Sequence, residues 1–310
     1  MSEMAIGIVG FGKIARDQHV PAIRATEGLC LAAVADPAAR CDGVASYPDL
    51  AAMLAAHPEI GAVALCTPPR ERAAVARQAI AAGRHVLLEK PPCATLAEAE
   101  ELARLARDAG VTVFTAWHSQ QAAGVAPTRE WLAKATIESI RVTWEEDVRV
   151  WHPGQAWIWE AGGFGVFDPG INALSILTAI LPGELRLVDA GLAVPVNCET
   201  PIAARLALAG ARGFPIAADF DFRQTGPQSW DIDIVTDRGE LRLSHGGNRL
   251  EIGGKAREVG EESEYRALYA RFAELIRGGE SAMDLAPLRL VAEALESGRI
   301  VPAEAFEEST

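Results

Sequence analysis

The sequence has no C-x-x-C pair and no even set of cysteines. Its five, Cys30, Cys41, Cys66, Cys93 and Cys198, lie far apart. This argues against a disulfide framework and against zinc spacing, so no metal ligands are predicted, and it fits reduced thiols in a cytoplasmic chain. No apolar run of about 18 residues occurs, so no membrane-spanning helix is expected. The opening "MSEMAIGIVGFGKIA" lacks a basic region followed by a long apolar run, so no signal peptide is expected. Cationic excess is absent as well: 29 Lys and Arg stand against 42 Asp and Glu, a formal net charge of −13. A chain so acidic is a poor partner for nucleic acid or an anionic membrane. Internal repeats are lacking, and "PAEAFEEST" at the acidic end is the only biased segment.

What remains is ordinary globular material, 49% hydrophobic and 23% charged over 310 residues. That length permits two domains, each able to bury a core without staples. From "MAIGIVG" to "VTVFTAW" apolar strand-like runs alternate with helical ones at short spacing. The pattern predicts a doubly wound parallel sheet covered on both faces, an α/β Rossmann domain over residues 1–120. Thr95 and Glu98 are spaced as a capping box for its fourth helix. Beyond residue 120 the texture changes. "SIRVTWEEDVRVW" alternates apolar and polar, and "DRGE" between two later runs is a hairpin signal. Residues 121–310 are therefore predicted as an α+β domain with an open, mostly antiparallel sheet.

The join "GIVGFGKIA" places Gly10-x-Gly12-x-x-Ala15 after a strand and before a helix. Gly10 permits a tight turn, and Gly12 lets the backbone approach a pyrophosphate resting on the helix N-terminus. An acid closes the second strand, as dinucleotide binding requires. Gly10, Phe11, Gly12, Lys13 and Ile14 are thus candidate cofactor contacts. Asp36 either accepts hydrogen bonds from an adenosine ribose or serves as a turn residue in "ADP". A ribose role favours NAD over NADP, and Arg40 softens that preference if it reaches a 2′-phosphate. NAD is therefore the expected cofactor, with NADP as an alternative.

Two proline-stiffened stretches stand at later strand ends, where ligands bind in open α/β sheets. "CTPP" offers Cys66, Thr67 and Pro68; "EKPP" offers Glu89 and Lys90. Lys90 is either an acid/base or donor group or a plain surface lysine. Trp151, Trp157 and Trp159 cluster around His152, just after Glu145, Glu146 and Asp147. Aromatic faces beside carboxylates and His suit a sugar; the alternative is a domain interface or dimer surface. In "AGGFGVFDPGIN" the glycines would let the backbone lie close to a ligand. Asp168 before Pro169 reads as a helix N-cap with Pro at the first helical position.

Taken in order, "GIVGFGKIA", "CTPP", "EKPP" and "GGFGVFDPGIN" resemble the motif set of the Gfo/Idh/MocA (glucose–fructose oxidoreductase/inositol dehydrogenase) family over nearly the whole chain. The resemblance implies a Rossmann domain plus an open-sheet α/β domain, an NAD(P) cofactor and hydride transfer on a sugar or related small molecule. It also implies a homo-oligomer built through the second-domain sheet. One departure stands out, since a histidine is commoner where this chain has Asn172. There, and along "WEEDVRVWHPGQAWIWEAGGFGVFDPGINALSI", the chain is similar to the family's aldose 1-dehydrogenases acting on L-arabinose and D-galactose. That subgroup implies oxidation of a C1 hydroxyl to a lactone.

Lys90, Asp168 and Asn172 carry over onto the family's reaction-site positions, Lys90 and Asp168 as the catalytic pair and Asn172 as a substrate contact. Glu146 and His152 carry over as sugar contacts; Trp151, Trp117 and His118 are further substrate candidates. Asn does not titrate, so the base role falls to Asp168 or Lys90. The reading adopted is Asp168 as base, with Lys90 holding the C1 oxygen. Two alternatives stay open. One is an inositol, diol or other sugar as substrate. The other is a non-catalytic NAD(P)-binding sensor, which has no reason to keep Lys90, Asp168 and Asn172 together.

Overall fold

The structure is a computed structural model, and it describes residues 3–307. The chain divides into two compact units. The first runs to Trp117 and takes in Tyr265–Leu285 from late in the chain; the second comprises His118–Glu264 and the chain from Ala286 on.

The first unit holds strands β1 (Met4–Val9), β2 (Leu29–Ala35), β3 (Ala45–Tyr47), β4 (Ile60–Leu65), β5 (His85–Glu89) and β6 (Val113–Ala116). All pair in parallel, in the order β3-β2-β1-β4-β5-β6. Their β-branched and aliphatic runs are buried on both faces, as a sheet covered by helices requires. This is the doubly wound order in which the strand sequence reverses between β1 and β4. Helix Leu96–Ala109 opens on the capping box of Thr95 and Glu98, each side chain bonding the other residue's backbone N–H. Helix Glu264–Gly278 supplies Tyr265, Leu268, Tyr269, Phe272 and Leu275 to the core of this unit. Those positions recur every three to four residues and form one apolar stripe. Such a stripe says that a helix is buried, and leaves open which core buries it.

The second unit holds a nine-stranded sheet of β7 (Ile137–Glu145), β8 (Arg186–Pro195), β9 (Ala203–Ala209), β10 (Pro215–Asp221), β11 (Ser229–Thr236), β12 (Gly239–Ser244), β13 (Arg249–Ile252), β14 (Lys255–Arg257) and β15 (Arg299–Ala303). The order is β14-β13-β12-β11-β7-β10-β9-β8-β15, antiparallel except at β7/β10 and β8/β15. "DRGE" closes the β11/β12 hairpin, with Thr236 paired to Gly239. One face is apolar: Ile140, Val142 and Trp144 of β7 lie in register with Ile216, Ala218 and Phe220 of β10. Helix Phe167–Ile180 packs on that face, with Phe167 edge-on to Phe220 at 5.9 Å. Gly170 permits this approach, since a Cβ there would lie 3.1 Å from the Phe220 ring. The opposite face carries ion pairs such as Arg141–Asp219 at 2.8 Å. Among the described residues no helix is long and apolar enough to cross a membrane.

The helix that carries Asp168 begins at Phe167, after an N-cap at Val166 that makes no side-chain cap bond. Asp168 is therefore not the N-cap, and Pro169 is not the first helical residue. Pro169 sits in the first turn, where its missing N–H costs nothing. Asp168 also lies in that turn, at the positive end of the helix dipole. The preceding glycines likewise serve the fold. A Cβ on Gly163 would meet Trp157 O at 2.4 Å, and one on Gly165 (φ +51°) would meet Pro201 O at 2.3 Å. The close neighbours are the loop's own carbonyls at Gly163 and the Thr200–Pro201 segment at Gly165, so packing within the protein accounts for both glycines.

Candidate active site

At the switch point of the first unit, Gly10 turns the chain at φ +87°. A Cβ on Gly10 would lie 2.7 Å from Thr67 N and 2.8 Å from Cys66 C, so the glycine turn packs directly on the "CTPP" turn. Gly12 differs, with nothing within 4 Å of its would-be Cβ. No internal contact requires glycine at residue 12, and the space beside it is open. Thr67 Oγ1 is buried and makes no hydrogen bond. An open glycine cradle and an orphaned hydroxyl at a strand-order reversal fit a bound dinucleotide.

The other candidates around the turn are distributed as follows. Phe11 is buried in the core, with the Arg16 guanidinium 5.9 Å over its ring. Lys13 is exposed and ion-paired with Asp17. Ile14 is 38% exposed, unusual for an aliphatic residue and suited to cover a ligand. Asp36 fills the turn role weighed for it, and both its oxygens accept backbone N–H groups. Its Oδ1 accepts from Ala38 N and Ala39 N, a turn role, and its Oδ2 accepts from Phe11 N at 2.8 Å, clasping the glycine turn. Partial burial raises the Asp36 pKa, but those three N–H groups and Arg40 outweigh it and hold the carboxyl below its usual value. Arg40 Nη1 donates to the carbonyls of Asp36 and Ala39.

Four residues that the sequence reading missed hold "CTPP" and "EKPP". Buried Arg72 donates to Glu89 O at 2.5 Å and to the carbonyls of Pro91 and Thr67. The Glu89 carboxylate turns inward: Oε1 accepts from Tyr265 OH at 2.8 Å and faces His19 Nε2 at 3.0 Å, and Oε2 accepts from Lys90 N at 2.8 Å. His19 Nδ1 lies 2.7 Å from Tyr269 OH. Glu89 thus fixes the backbone of Lys90 from below. Burial by itself lowers the His19 pKa, but Cys66, Tyr269 and the hydrogen bonds to Cys66 and Glu89 outweigh it and raise it well above 6.5.

These groups yield two predictions. Gly12→Ala should leave the melting temperature nearly unchanged and weaken NAD(P) binding by at least ~10-fold, since the new methyl occupies only ligand space; dye-monitored melting and cofactor titration check both. The second concerns pH. A histidine pKa raised on folding contributes stability that is fully present below its unfolded value of about 6.5 and is lost as pH rises through the folded one. The melting temperature of the wild type should fall as pH climbs from about 6.5, and His19→Gln should remove that part of the slope.

Trp117 is buried, and its indole N–H is spent on Asp284 O at 2.8 Å. In the second unit His118 Nδ1 faces Glu264 Oε2 at 2.5 Å, and Glu264 Oε1 accepts from Asn248 at 2.9 Å. Neither Glu264 nor Asn248 was a candidate from sequence.

The remaining candidates in the second unit converge. Asp147 caps the short helix Val148–Trp151 by accepting from Arg149 N, and that helix delivers Trp151 and His152. Glu146 is 2% exposed; its Oε2 accepts from Trp230 Nε1 at 2.8 Å. Its Oε1 makes no hydrogen bond, although His152 Nε2 lies 3.2 Å away, out of hydrogen-bond alignment. The other ring nitrogen of His152 is 3.8 Å from Asp168 Oδ2. Trp151 is 42% exposed and rests 4.9 Å from the Trp230 ring, which stacks in turn on Trp144. Asn172 follows Asp168 by one helical turn and so shares its face. It is the one residue from Phe167 to Leu177 that is not fully buried, and its amide has no hydrogen-bond partner among the described residues. The arrangement offers a buried carboxylate at a helix N-terminus, a histidine, an orphaned acceptor, a free amide and an aromatic wall.

A dinucleotide fold joined to a unit bearing such acid/base groups defines an NAD(P)-dependent oxidoreductase. Residues 4–117 match the oxidoreductase family with the NAD-binding Rossmann fold, GFO_IDH_MocA. The chain is 46% identical to a galactose 1-dehydrogenase of Pseudomonas fluorescens over 307 residues, 99% of each chain. It superposes on the crystal structure of a D-galactose-1-dehydrogenase from Rhizobium etli with a TM-score of 0.95 at 50% identity, covering 99% of both. The fold is shared more widely. KijD10, a 3-ketoreductase from Actinomadura kijaniata seen with NADP, is 19% identical and covers 97% of this chain and 100% of its own, with a TM-score of 0.85. The chain belongs to the Gfo/Idh/MocA oxidoreductase family.

Proposed function

We propose that this protein oxidises the C1 hydroxyl of a pyranose sugar of the D-galactose and L-arabinose type to the lactone, passing the hydride to NAD(P). The observation that carries the reading is the set in the second unit: Asp168, Asn172, His152 and the orphaned Glu146 Oε1, beside exposed Trp151. A sugar hydroxyl can donate to Glu146 Oε1 and bond the Asn172 amide, while its C–H face rests on an indole. The full-length relatives named for galactose support the same substrate. D-galactose and L-arabinose share configuration at the ring carbons nearest the anomeric centre, so a pocket reading only those positions accepts both.

A bound nicotinamide dinucleotide supplies the hydride acceptor. Gly12, Thr67 and the Asp36-clasped turn would hold it. The chain's own residues handle the rest. Asp168 accepts the C1 hydroxyl proton, and the Lys90 ammonium steadies the negative charge developing on that oxygen. The carboxylate at Asp36 favours NAD over NADP by like-charge repulsion of a 2′-phosphate. Assembly through the nine-stranded sheet, as a homo-oligomer, belongs to the same proposal.

Reduction of NAD and NADP is followed with a panel of aldoses, inositols and diols. Galactose and arabinose should give the fastest rates. Silence across the panel with cofactor still bound contradicts an enzymatic role. Asn172→Ala should raise KM for the sugar about 10-fold or more, the cost of an unmatched polar group, and leave NAD(P) binding intact. Unchanged sugar kinetics would remove Asn172 from the pocket.

A further inference from the structure

Glu146, His152 and Asp168 form a line in which the imidazole lies between two carboxylates. Nε2 is 3.2 Å from Glu146 Oε1, and Nδ1 is 3.8 Å from Asp168 Oδ2. Three successive segments build it: the residue after β7, the turn after Val148–Trp151, and the first turn of Phe167–Ile180. The central ring is the most exposed of the three. The Glu146 side chain is 3% exposed, that of Asp168 6%, and that of His152 16%. A contact residue needs only one of these neighbours. Two carboxylates on opposite nitrogens favour an imidazole that becomes a cation during turnover.

We propose that His152 is the proton acceptor behind Asp168, taking the substrate proton from that carboxyl and releasing it to water, with Glu146 as a positioning residue whose carboxylate faces the ring's other nitrogen. The inference rests on the sugar-oxidation reading above. In the balanced step, the C1–H pair leaves as hydride to NAD(P), the C1 oxygen forms its carbonyl bond, and the O–H proton passes to Asp168. The carboxyl then gives that proton to His152 Nδ1. Asp168 regains its charge, and the imidazolium faces Glu146. His152, the most exposed of the three, passes the proton to solvent and the site is reset. Phe222 covers the ring at 5.6 Å without adding charge. Glu146 stands against one ring nitrogen and Asp168 against the other.

The assignment separates from a plain sugar contact by which constant changes. His152→Gln keeps a polar side chain of similar reach and cannot take up a proton. It should lower kcat about 10-fold or more and leave KM within a few-fold of wild type. The limb in which kcat falls as pH is lowered should change shape, because in the wild type a protonated His152 blocks transfer. The two profiles are compared whole. A second readout needs no turnover. The ¹⁵N shifts of the His152 imidazole should titrate at lower pH in Glu146→Gln than in wild type, since the imidazolium loses a carboxylate neighbour. A raised KM with an unaltered kcat–pH profile, or a titration indifferent to Glu146→Gln, overturns the relay and leaves sugar oxidation standing. Failure of the wild type to reduce NAD(P) with any sugar overturns both readings.

Discussion

Asp168→Asn is expected to cut turnover by roughly 10²-fold or more while the protein stays folded and binds NAD(P). The carboxylate is 6% exposed and sits in the first turn of helix Phe167–Ile180, facing His152 across 3.8 Å. Amide replaces acid at nearly the same volume, so packing is kept. Because Asp168 is not the N-cap, no capping bond is at stake. The helix-dipole part of the stability cost, the loss of a favourable charge near the helix N-terminus, is about 0.3–1 kcal/mol. A merely structural Asp168 would therefore show a small fall in melting temperature and full turnover. A catalytic one reverses that order. Steady-state kinetics and a melting curve on the same sample read both, and full activity in the folded variant would remove Asp168 from the chemistry.

Gly10→Val is expected to have the largest effect on the fold. Gly10 holds φ at +87°, a region that costs a side-chain-bearing residue about 1–2 kcal/mol before any contact is counted. The first atom of the new side chain would then enter the "CTPP" turn, 2.7 Å from Thr67 N. Backbone must move to admit it, and that backbone frames the orphaned Thr67 hydroxyl. The variant should melt several degrees lower, at a cost of ~2 kcal/mol or more, and lose measurable NAD(P) binding. A variant that melts and binds like the wild type would contradict this account of the turn. Set beside Gly12→Ala, it separates a glycine required by the protein from one required by the ligand.

These two positions also show what the sequence could reveal. The parallel sheet was legible because its strands are apolar throughout and alternate with helices at short spacing. The capping box at Thr95 and Glu98 and the "DRGE" hairpin were legible because their partners are three residues apart or fewer. Short β3 carries too few residues to register as a period, and the edge strand β15, "RIVPA", has a proline and no apolar–polar alternation; both went unseen. Helix Glu264–Gly278 was visible as an apolar stripe, while its place in the first unit was not. The Tyr265–Glu89 bond spans 176 residues, and no local pattern encodes it. The same holds for Trp230, which orients Glu146 from 84 residues away. The helix start was misjudged by two positions: Asp-Pro before an apolar run reads as cap and first residue, yet the helix begins at Phe167 after an N-cap at Val166. The grouping of Asp168, His152 and Glu146 near one another follows from the second-unit fold, although each residue was singled out separately.

The central claim is oxidation at the anomeric carbon, and carbon NMR of D-galactose labelled with ¹³C at C1 tests it most directly. In the presence of the protein and NAD(P), the anomeric signal should decay into that of a lactone carbonyl, matched by the reduced cofactor formed. Cofactor reduction with the C1 label left anomeric, or no reduction at all, would contradict it.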